Sequence, residues 1–258
     1  MKNYSVLSFS GGKDSTCLLL MMLEKGMDID YILFCDTGME FPEMYEHIKK
    51  VDKYISEKYG KHVTVIKSER TFEYYATEYE KVKGLNKGKH GYGWPTMMNR
   101  WCTKALKTSV VRKFLKAHGM NDSNTKMYIG IAADEPKRIK GDIYPLFEWG
   151  VTEADALRFC YDHGFDWGGL YKTHSRLSCW CCPLQSLEDM KVLYRDFPQL
   201  WKKLEELNRK IINISNIENS YFFEFKQRRR LGPKLSDYTE RFRRECEAEN
   251  AEDKAIRR

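Results

Sequence analysis

Six consecutive residues, Ser10-Gly11-Gly12-Lys13-Asp14-Ser15, bring together the groups that hold a phosphate. Gly11 and Gly12 can turn backbone N–H groups toward oxygen atoms, Lys13 adds a full positive charge, and Ser10 and Ser15 can donate hydroxyl hydrogen bonds. A helix starting at this point adds the partial positive charge of its N-terminus. The spacing is not Gly-x-x-x-x-Gly-Lys-Ser/Thr, so a loop that transfers the γ-phosphate is disfavoured. Without a ligand the same run reads as a helix-capping turn, for which Asp14 and Ser15 suffice. A second constellation is Cys179-Trp180-Cys181-Cys182 closed by Pro183, in which Cys179 and Cys182 have the C-x-x-C spacing that lets two thiolates face one metal. The alternative is a tight turn of small buried thiols.

The elements that must position these groups follow from hydrophobic pattern. Residues 4–9 are a short apolar run ending in the glycine turn, and residues 16–23 are a nearly continuous apolar helix stopped by Gly26. Residues 31–35 repeat the strand signal, Pro42 opens a helix to about residue 59, and residues 63–66 read as a third strand. Further on come a helix over 103–118, a strand over 127–131, an extended segment near 143–147 and a helix capped by Thr152 and running to about residue 163. Strands alternating with helices predict an α/β fold, a doubly wound and mostly parallel five-stranded sheet. The glycine-rich stretch 84–95 has no apolar periodicity and reads as a mobile loop of substrate-lid length or as a disordered insertion.

After Pro183 the strand signals fade and residues 187–212 read as helical with a break near Pro198. The expected organisation is a nucleotide-binding domain over 1–185 and a helical, basic appendage over 186–258, its last stretch from Glu245 charged enough to fray or be disordered. The chain of 258 residues carries a net charge of +7, and residues 191–258 hold 17 Lys/Arg against 12 Asp/Glu, so a polyanion contact is expected in the C-terminal part. Mixed charges on a solvated helix surface account for the same composition. No apolar run approaches the ~20 residues of a spanning helix, and the N-terminus leads directly into a strand, so no membrane contact and a cytoplasmic location are expected. Eight cysteines spread over a chain of this size fit reduced thiols in that compartment.

The phosphate loop, together with Asp36-Thr37-Gly38-Met39-Glu40-Phe41-Pro42-Glu43, resembles the PP-loop superfamily and within it the phosphoadenosine phosphosulfate (PAPS) reductase family. Arg100-Trp101-Cys102-Thr103-Lys104-Ala105-Leu106-Lys107, Gly130-Ile131-Ala132-Ala133-Asp134-Glu135 and Tyr144-Pro145-Leu146 extend the resemblance over about residues 4–185. It implies an adenine nucleotide α-hydrolase-like fold with ATP or a related adenine nucleotide across the carboxyl edge of the sheet, as the switch-point rule also expects. Lys13, Asp14 and Ser15 would be the catalytic group with Mg²⁺. Ser8, Ser10, Gly11, Gly12, Asp36, Thr37, Gly38 and Gly130 would line the nucleotide, with Lys104, Lys107 and Arg138 as candidates to neutralise phosphate or sulfate. The resemblance also brings Cys102 toward Cys179, Cys181 and Cys182, with Cys160 as another candidate ligand. Four thiolates suit zinc or an iron–sulfur cluster, and relatives with similar cysteines make a [4Fe-4S] cluster the first expectation and zinc the second. Relatives with that cluster pair a Cys-Cys with the C-x-x-C, whereas this chain has Trp101-Cys102.

Three functions follow. The first is an ATP pyrophosphatase that adenylates an acceptor and couples this to sulfur transfer. Its acceptor would be a nucleic acid or protein held by the basic segment Arg228-Arg229-Arg230, near Tyr221, Phe222, Phe223 and Phe225, aromatics that read first as hydrophobic core of the appendage. The second is a reductase of phosphosulfate nucleotides releasing sulfite, and the third a nucleotide-binding partner or sensor without turnover. Two departures from the family pattern count against the reductase. Ala132 stands where many members have arginine, and the C-terminal cysteine sits in Glu245-Cys246-Glu247-Ala248-Glu249, without the glycine and histidine of the reductase motif. Its glutamate neighbours would hold the thiol protonated.

Overall fold

Apolar strands that must be covered on both faces, separated by helices long enough to return the chain, leave a parallel sheet as the economical arrangement. In the computed structural model, which describes residues 2–217, 225–226 and 233–256, the chain divides into two compact units. One is Met1–Glu69 with Lys104–Lys172, the other Arg70–Thr103 with Thr173–Arg258.

The first unit carries the sheet. Strands β1 (Tyr4–Ser8), β2 (Tyr31–Asp36), β3 (Val63–Lys67) and β4 (Thr125–Ile129) run parallel in the order β3-β2-β1-β4. Leu7 stands between Ile32 of β2 and Tyr128 of β4, so β1 is an inner strand. The chain builds outward from β1 through β2 to β3 and then crosses to the other side of β1 for β4. That reversal makes the gap between β1 and β4 the switch point, where the loops leaving both strands open together.

Side chains alternate across the sheet. Val6 and Leu33 pack with Met120 on one face, where Val111, Phe114 and Leu115 of α4 (Ser109–Ala117) lie against them. Leu7, Ile32 and Phe34, of the opposite alternation, are also buried, so the second face is covered too. Helix α1 (Lys13–Glu24) buries Cys17, Leu18, Leu19, Leu20 and Met22 and packs against α6 (Glu153–Asp162). Helix α2 (Pro42–Tyr59) has its proline in the first turn and stops at Gly60 in the left-handed conformation, φ 63°. The Thr152 hydroxyl accepts from the Asp155 N–H while Asp155 returns a bond to the Thr152 N–H, a capping box that starts α6 at the expected residue.

Two expectations change. The fifth strand does not form among the described residues: Ile143 makes one parallel bridge to Tyr128, after which α5 (Pro145–Glu148) begins. Pro145 has no N–H to continue a ladder, and its φ suits a first helical turn. The helix expected over 103–118 opens as a π-helical turn, Thr103–Thr108, before α4.

The second unit is helical around aromatic side chains. Helix α3 (Phe72–Thr77) packs against α9 (Pro198–Ile217), and α8 (Leu187–Asp196) packs against both α9 and α10 (Leu235–Ile256). Asn208 ties two segments to α9, because its Oδ1 accepts from the Trp94 indole N–H and from the Phe225 N–H, both at 2.9 Å. Phe225 is fully buried in this core. Tyr221, Phe222, Phe223 and Arg228-Arg229-Arg230, the basic and aromatic segment singled out from sequence, lie outside the described residues. The charged stretch after Glu245 continues as helix to Ile256, with Lys191 paired to Glu245 at 3.2 Å and Glu249 at 2.5 Å. No helix among the described residues is long and apolar enough to cross a membrane.

Candidate phosphate-binding site

The turn between β1 and α1 is held from several sides. Gly11 has φ +79°, and its carbonyl accepts the Trp167 indole N–H at 2.7 Å and the Thr16 hydroxyl at 3.4 Å. His47 of α2 bonds Thr16 Oγ1 through Nε2 at 3.1 Å and stacks on Trp167 with ring centroids 4.4 Å apart. Burial pushes the His47 pKa down to about 3, with Lys50 adding to the effect. The Ser10 and Ser15 hydroxyls lie 3.0 Å apart, and the Ser15 hydroxyl donates to the Gly12 carbonyl at 3.0 Å. The first N–H of α1, that of Lys13, donates to the Tyr171 hydroxyl of α7 (Leu170–Thr173) at 2.9 Å.

The loop after β4 comes against this turn at the switch point. A Cβ at Gly130 would lie 2.8 Å from the Asp14 carbonyl carbon and oxygen and from the Ser15 nitrogen, so only glycine permits this approach. Five residues beyond Gly130, Glu135 joins Asp14 and Glu153, the first residue of α6, in a carboxylate trio whose oxygens lie within 4.8 Å of one another. Lys13 is buried and pairs with two of them, its Nζ 3.0 Å from Glu153 and 3.5 Å from Asp14. Burial raises the Asp14 pKa to about 6; Lys13 opposes the rise, and Glu153 and Glu135 add to it. Asp14 Oδ1 is buried without a hydrogen-bond partner. Arg138 donates to Glu135 at 2.5 Å, which brings it to the same group.

The other residues predicted for a nucleotide fall at the carboxyl edge in two places. Ser8 ends β1 half-buried. After β2, Asp36 Oδ1 accepts from the Gly38 N–H and the Tyr45 hydroxyl, both at 2.8 Å, and the Thr37 hydroxyl bonds Glu40 at 3.2 Å. Lys107 reaches Glu40 at 3.8 Å, whereas Lys104 is exposed on the π-helical turn. Sequence reasoning missed Glu153, Tyr171, His47 and Trp167 as parts of this site. A capped helix start at Thr152 was legible, but nothing in the pattern says which loop its first residue faces. Glu135 ends the Gly130–Glu135 stretch, where its residue type alone points to no role in the site.

The cysteines separate into two groups. Cys17 and Cys160 belong to the core of the first unit, where burial pushes the Cys17 thiol up to about 12 and raises that of Cys160, whose Sγ lies 3.5 Å from the Lys13 carbonyl. Cys35 at the end of β2 is likewise raised by burial. Cys102, Cys179, Cys181 and Cys182 all belong to the second unit. There the Cys182 N–H donates to the Cys179 carbonyl at 3.0 Å, closing the turn, and Cys181 and Trp180 are buried beneath it. All eight cysteines stand outside disulfides.

A family model described as the phosphoadenosine phosphosulfate reductase domain matches residues 4–185. The chain belongs to this family. Among curated proteins it is similar to the uncharacterized protein MJ0066 of Methanocaldococcus jannaschii, 28% identical over 84% of this chain and 44% of that protein. It is also similar to the uncharacterized nin region protein ORF290 of Escherichia phage lambda, 32% identical over 53% of this chain and 50% of that one. The chain thus spans about half the length of the curated relatives it matches. Among solved structures, a U34-tRNA thiolase, NcsA, from Methanococcus maripaludis with its [4Fe-4S] cluster aligns over 93% of this chain and 81% of that one. The alignment has 16% identity and a TM-score of 0.39, a likeness too low to carry an argument.

Proposed function

We propose that the first unit binds ATP or a related adenine nucleotide with its phosphates on the loop from Ser10 to Ser15, and that it catalyses adenylation of an acceptor. In this reaction an acceptor oxygen attacks the α-phosphorus, the α–β bond breaks, and pyrophosphate leaves on the loop. The observation that carries the reading is the meeting of two loops at the switch point: Gly130 packs against Asp14 and Ser15, and Glu135 comes within 4.8 Å of the Asp14 and Glu153 carboxylates that pair with the buried Lys13. Charge on the departing pyrophosphate would be met by Lys13, by N–H groups of the turn and by the Ser10 and Ser15 hydroxyls. Asp36, Thr37 and Gly38 would lie toward the nucleoside, with Lys107, Lys104 and Arg138 as further cations for phosphate.

The carboxylate trio fits a hard cation. Asp14, Glu135 and Glu153 offer oxygen ligands at short mutual distance, and Asp14 Oδ1 has no competing hydrogen bond. Mg²⁺ bound there would neutralise phosphate oxygens. The thiols of the second unit, Cys102, Cys179, Cys181 and Cys182, suit a soft metal centre by donor chemistry, and a turn joins Cys179 to Cys182; among the described residues, however, the carboxylate trio alone brings three or more ligand atoms within 4.8 Å of one another, so the four thiols would have to draw together around a metal. A [4Fe-4S] cluster there, or zinc as the alternative, would supply sulfur handling to an acceptor such as a nucleic acid.

The reductase reading is opposed by two observations. Ala132 is fully buried, so that position offers no charge to a sulfate. Cys246 lies within α10, its thiol raised by burial and by Glu249 and Glu245, the opposite of an activated nucleophile. The test is anaerobic incubation with ATP·Mg²⁺, or with adenosine phosphosulfates and a thioredoxin system, assayed for pyrophosphate and sulfite. Pyrophosphate release abolished by Lys13→Ala is expected. Sulfite formation dependent on Cys246 overturns the reading, and saturable ATP binding without turnover under either condition assigns the chain to sensing.

A further inference from the structure

The second unit carries a feature that nucleotide chemistry does not use. Residues 81–100 include Lys81, Lys83, Lys87, Lys89 and Arg100 and no acidic residue, while the exposed Glu78 and Glu80 flank Tyr79 just before them. The stretch read from sequence as a lid-type loop begins as a closed hairpin: Glu80 bridges His90, the Lys81 N–H donates to the Lys89 carbonyl at 2.9 Å, and the Gly88 N–H returns to the Lys81 carbonyl at 2.8 Å. The Gly91, Tyr92 and Gly93 N–H groups then bond carbonyls of Tyr79, Tyr75 and Ala76, which fastens the hairpin to α3.

This backbone holds a surface of unusual composition. Of the large apolar residues more than half exposed among the described residues, Val82, Leu85, Met97 and Met98 fall in this one stretch, and Leu85 and Met98 are almost wholly in water. Beside them Tyr79 stacks on Tyr92 with centroids 4.9 Å apart, and Tyr92 stacks on Trp101 at 5.7 Å. Tyr79 and Tyr92 are half-buried, so the ladder presents ring surface while Trp101 anchors it through its indole bond to the Gly93 carbonyl at 3.1 Å. Lys83, Lys87 and Arg100 are exposed, and among the described residues no carboxylate pairs with them. Exposed Leu85 and Met98, each within two residues of an exposed cation, match a partner with both flat apolar faces and regular negative charge.

We infer that the surface formed by the 81–89 hairpin, Met97, Met98, Arg100 and the Tyr79–Tyr92 ladder binds a single-stranded polynucleotide. Phosphates lie against Lys83, Lys87 and Arg100, and unstacked bases lie on Leu85, Met98 and the tyrosine rings. A duplex hides its base faces and is a poorer ligand. The inference rests on the nucleic-acid reading of the acceptor for its purpose, but its test needs no nucleotide and no turnover.

The experiment is fluorescence anisotropy of the full chain with a labelled single-stranded oligonucleotide, RNA and DNA in separate arms, and with the same sequence as a duplex, over a salt series. Binding to single strands is expected to fall with salt, and the triple variant K83E/K87E/R100E should lower the log–log salt slope by about 2, at ~0.7 per phosphate contact. The variant L85S/M98S should weaken single-strand binding about tenfold with the slope retained. ATP affinity and the melting curve, measured on each variant, should match the parent and so separate lost contacts from lost fold. The inference is overturned by absence of single-strand binding, by equal binding of the duplex, or by a triple variant with the parent slope. Retention of an acidic protein partner together with no oligonucleotide binding overturns it as well. If Lys13→Ala abolishes turnover while oligonucleotide binding fails, this surface is wrong and the proposed reaction stands; the reverse result separates them in the other direction.

Discussion

Replacing Gly130 by alanine tests whether the loop after β4 forms part of the phosphate site. Gly130 has no positive φ, so alanine is allowed by the backbone, and the perturbation is steric alone. The new Cβ would stand 2.8 Å from three backbone atoms of Asp14 and Ser15, and ordinary contact begins at 3.4 Å, so the two loops must part by about 0.6 Å. Those neighbours are main chain at the start of α1 and cannot swing aside as a side-chain end would. Overpacking of this kind costs about 1–3 kcal/mol, and a domain of this size loses roughly 2–4 °C of melting temperature per kcal/mol. The same displacement moves Ser15 and the first turn of α1 relative to Glu135. Losing one hydrogen bond to a charged phosphate costs about 1.5–3 kcal/mol, or roughly tenfold or more in affinity. Thermal melting and calorimetric ATP titration should therefore both shift in Gly130→Ala. Gly141→Ala, at a position with nothing within 4 Å of the added Cβ, should shift neither. A Gly130→Ala protein with parental melting temperature and parental ATP affinity would refute the argument that this close approach builds the site.

Lys13→Ala should reduce ATP affinity at least tenfold while leaving secondary structure intact, as read by titration and far-UV circular dichroism; undiminished binding would remove Lys13 from the phosphate site. His47, held near pKa 3 in the folded state against 6.5 when exposed, leaves the folded protein binding fewer protons than the unfolded chain between those values. Stability contributed by neutral His47 is complete above about pH 6.5 and is lost as pH falls toward 3. Melting curves of His47→Gln should show a shallower acid slope in that window, and an unchanged slope would contradict the burial argument. Substituting Cys179 and Cys182 by serine should eliminate metal from anaerobically purified protein, measured by elemental analysis, whereas Cys160→Ala should not. Cys246→Ser should leave pyrophosphate release unchanged in the turnover assay.

Much of the first unit was legible because local pattern and tertiary role coincide there. Pro42, Thr152 and the apolar runs at 4–9 and 31–35 announce elements whose ends require only neighbouring residues, and the observed helices and strands begin within a residue or two of them. The fifth strand was misread because the residues around Ile143 are apolar enough for a strand, while pairing is decided by what lies beside them and by the missing N–H of Pro145. Likewise 84–95 looks unstructured by periodicity, yet the stretch is ordered by main-chain bonds to α3 that leave no hydrophobic pattern.

The glycine turn between a strand and a helix, the family and the parallel direction of the strands were legible in sequence, since an apolar strand, two glycines and an apolar helix in succession need only neighbouring residues to be read. What surrounds that loop was decided only in three dimensions. Glu153 and Tyr171 lie far from Lys13 along the chain and reach it because α1 and α6 pack together and α7 ends nearby. Burial then sets the properties of Asp14 and His47, which are ordinary titrating groups until tertiary packing removes their water.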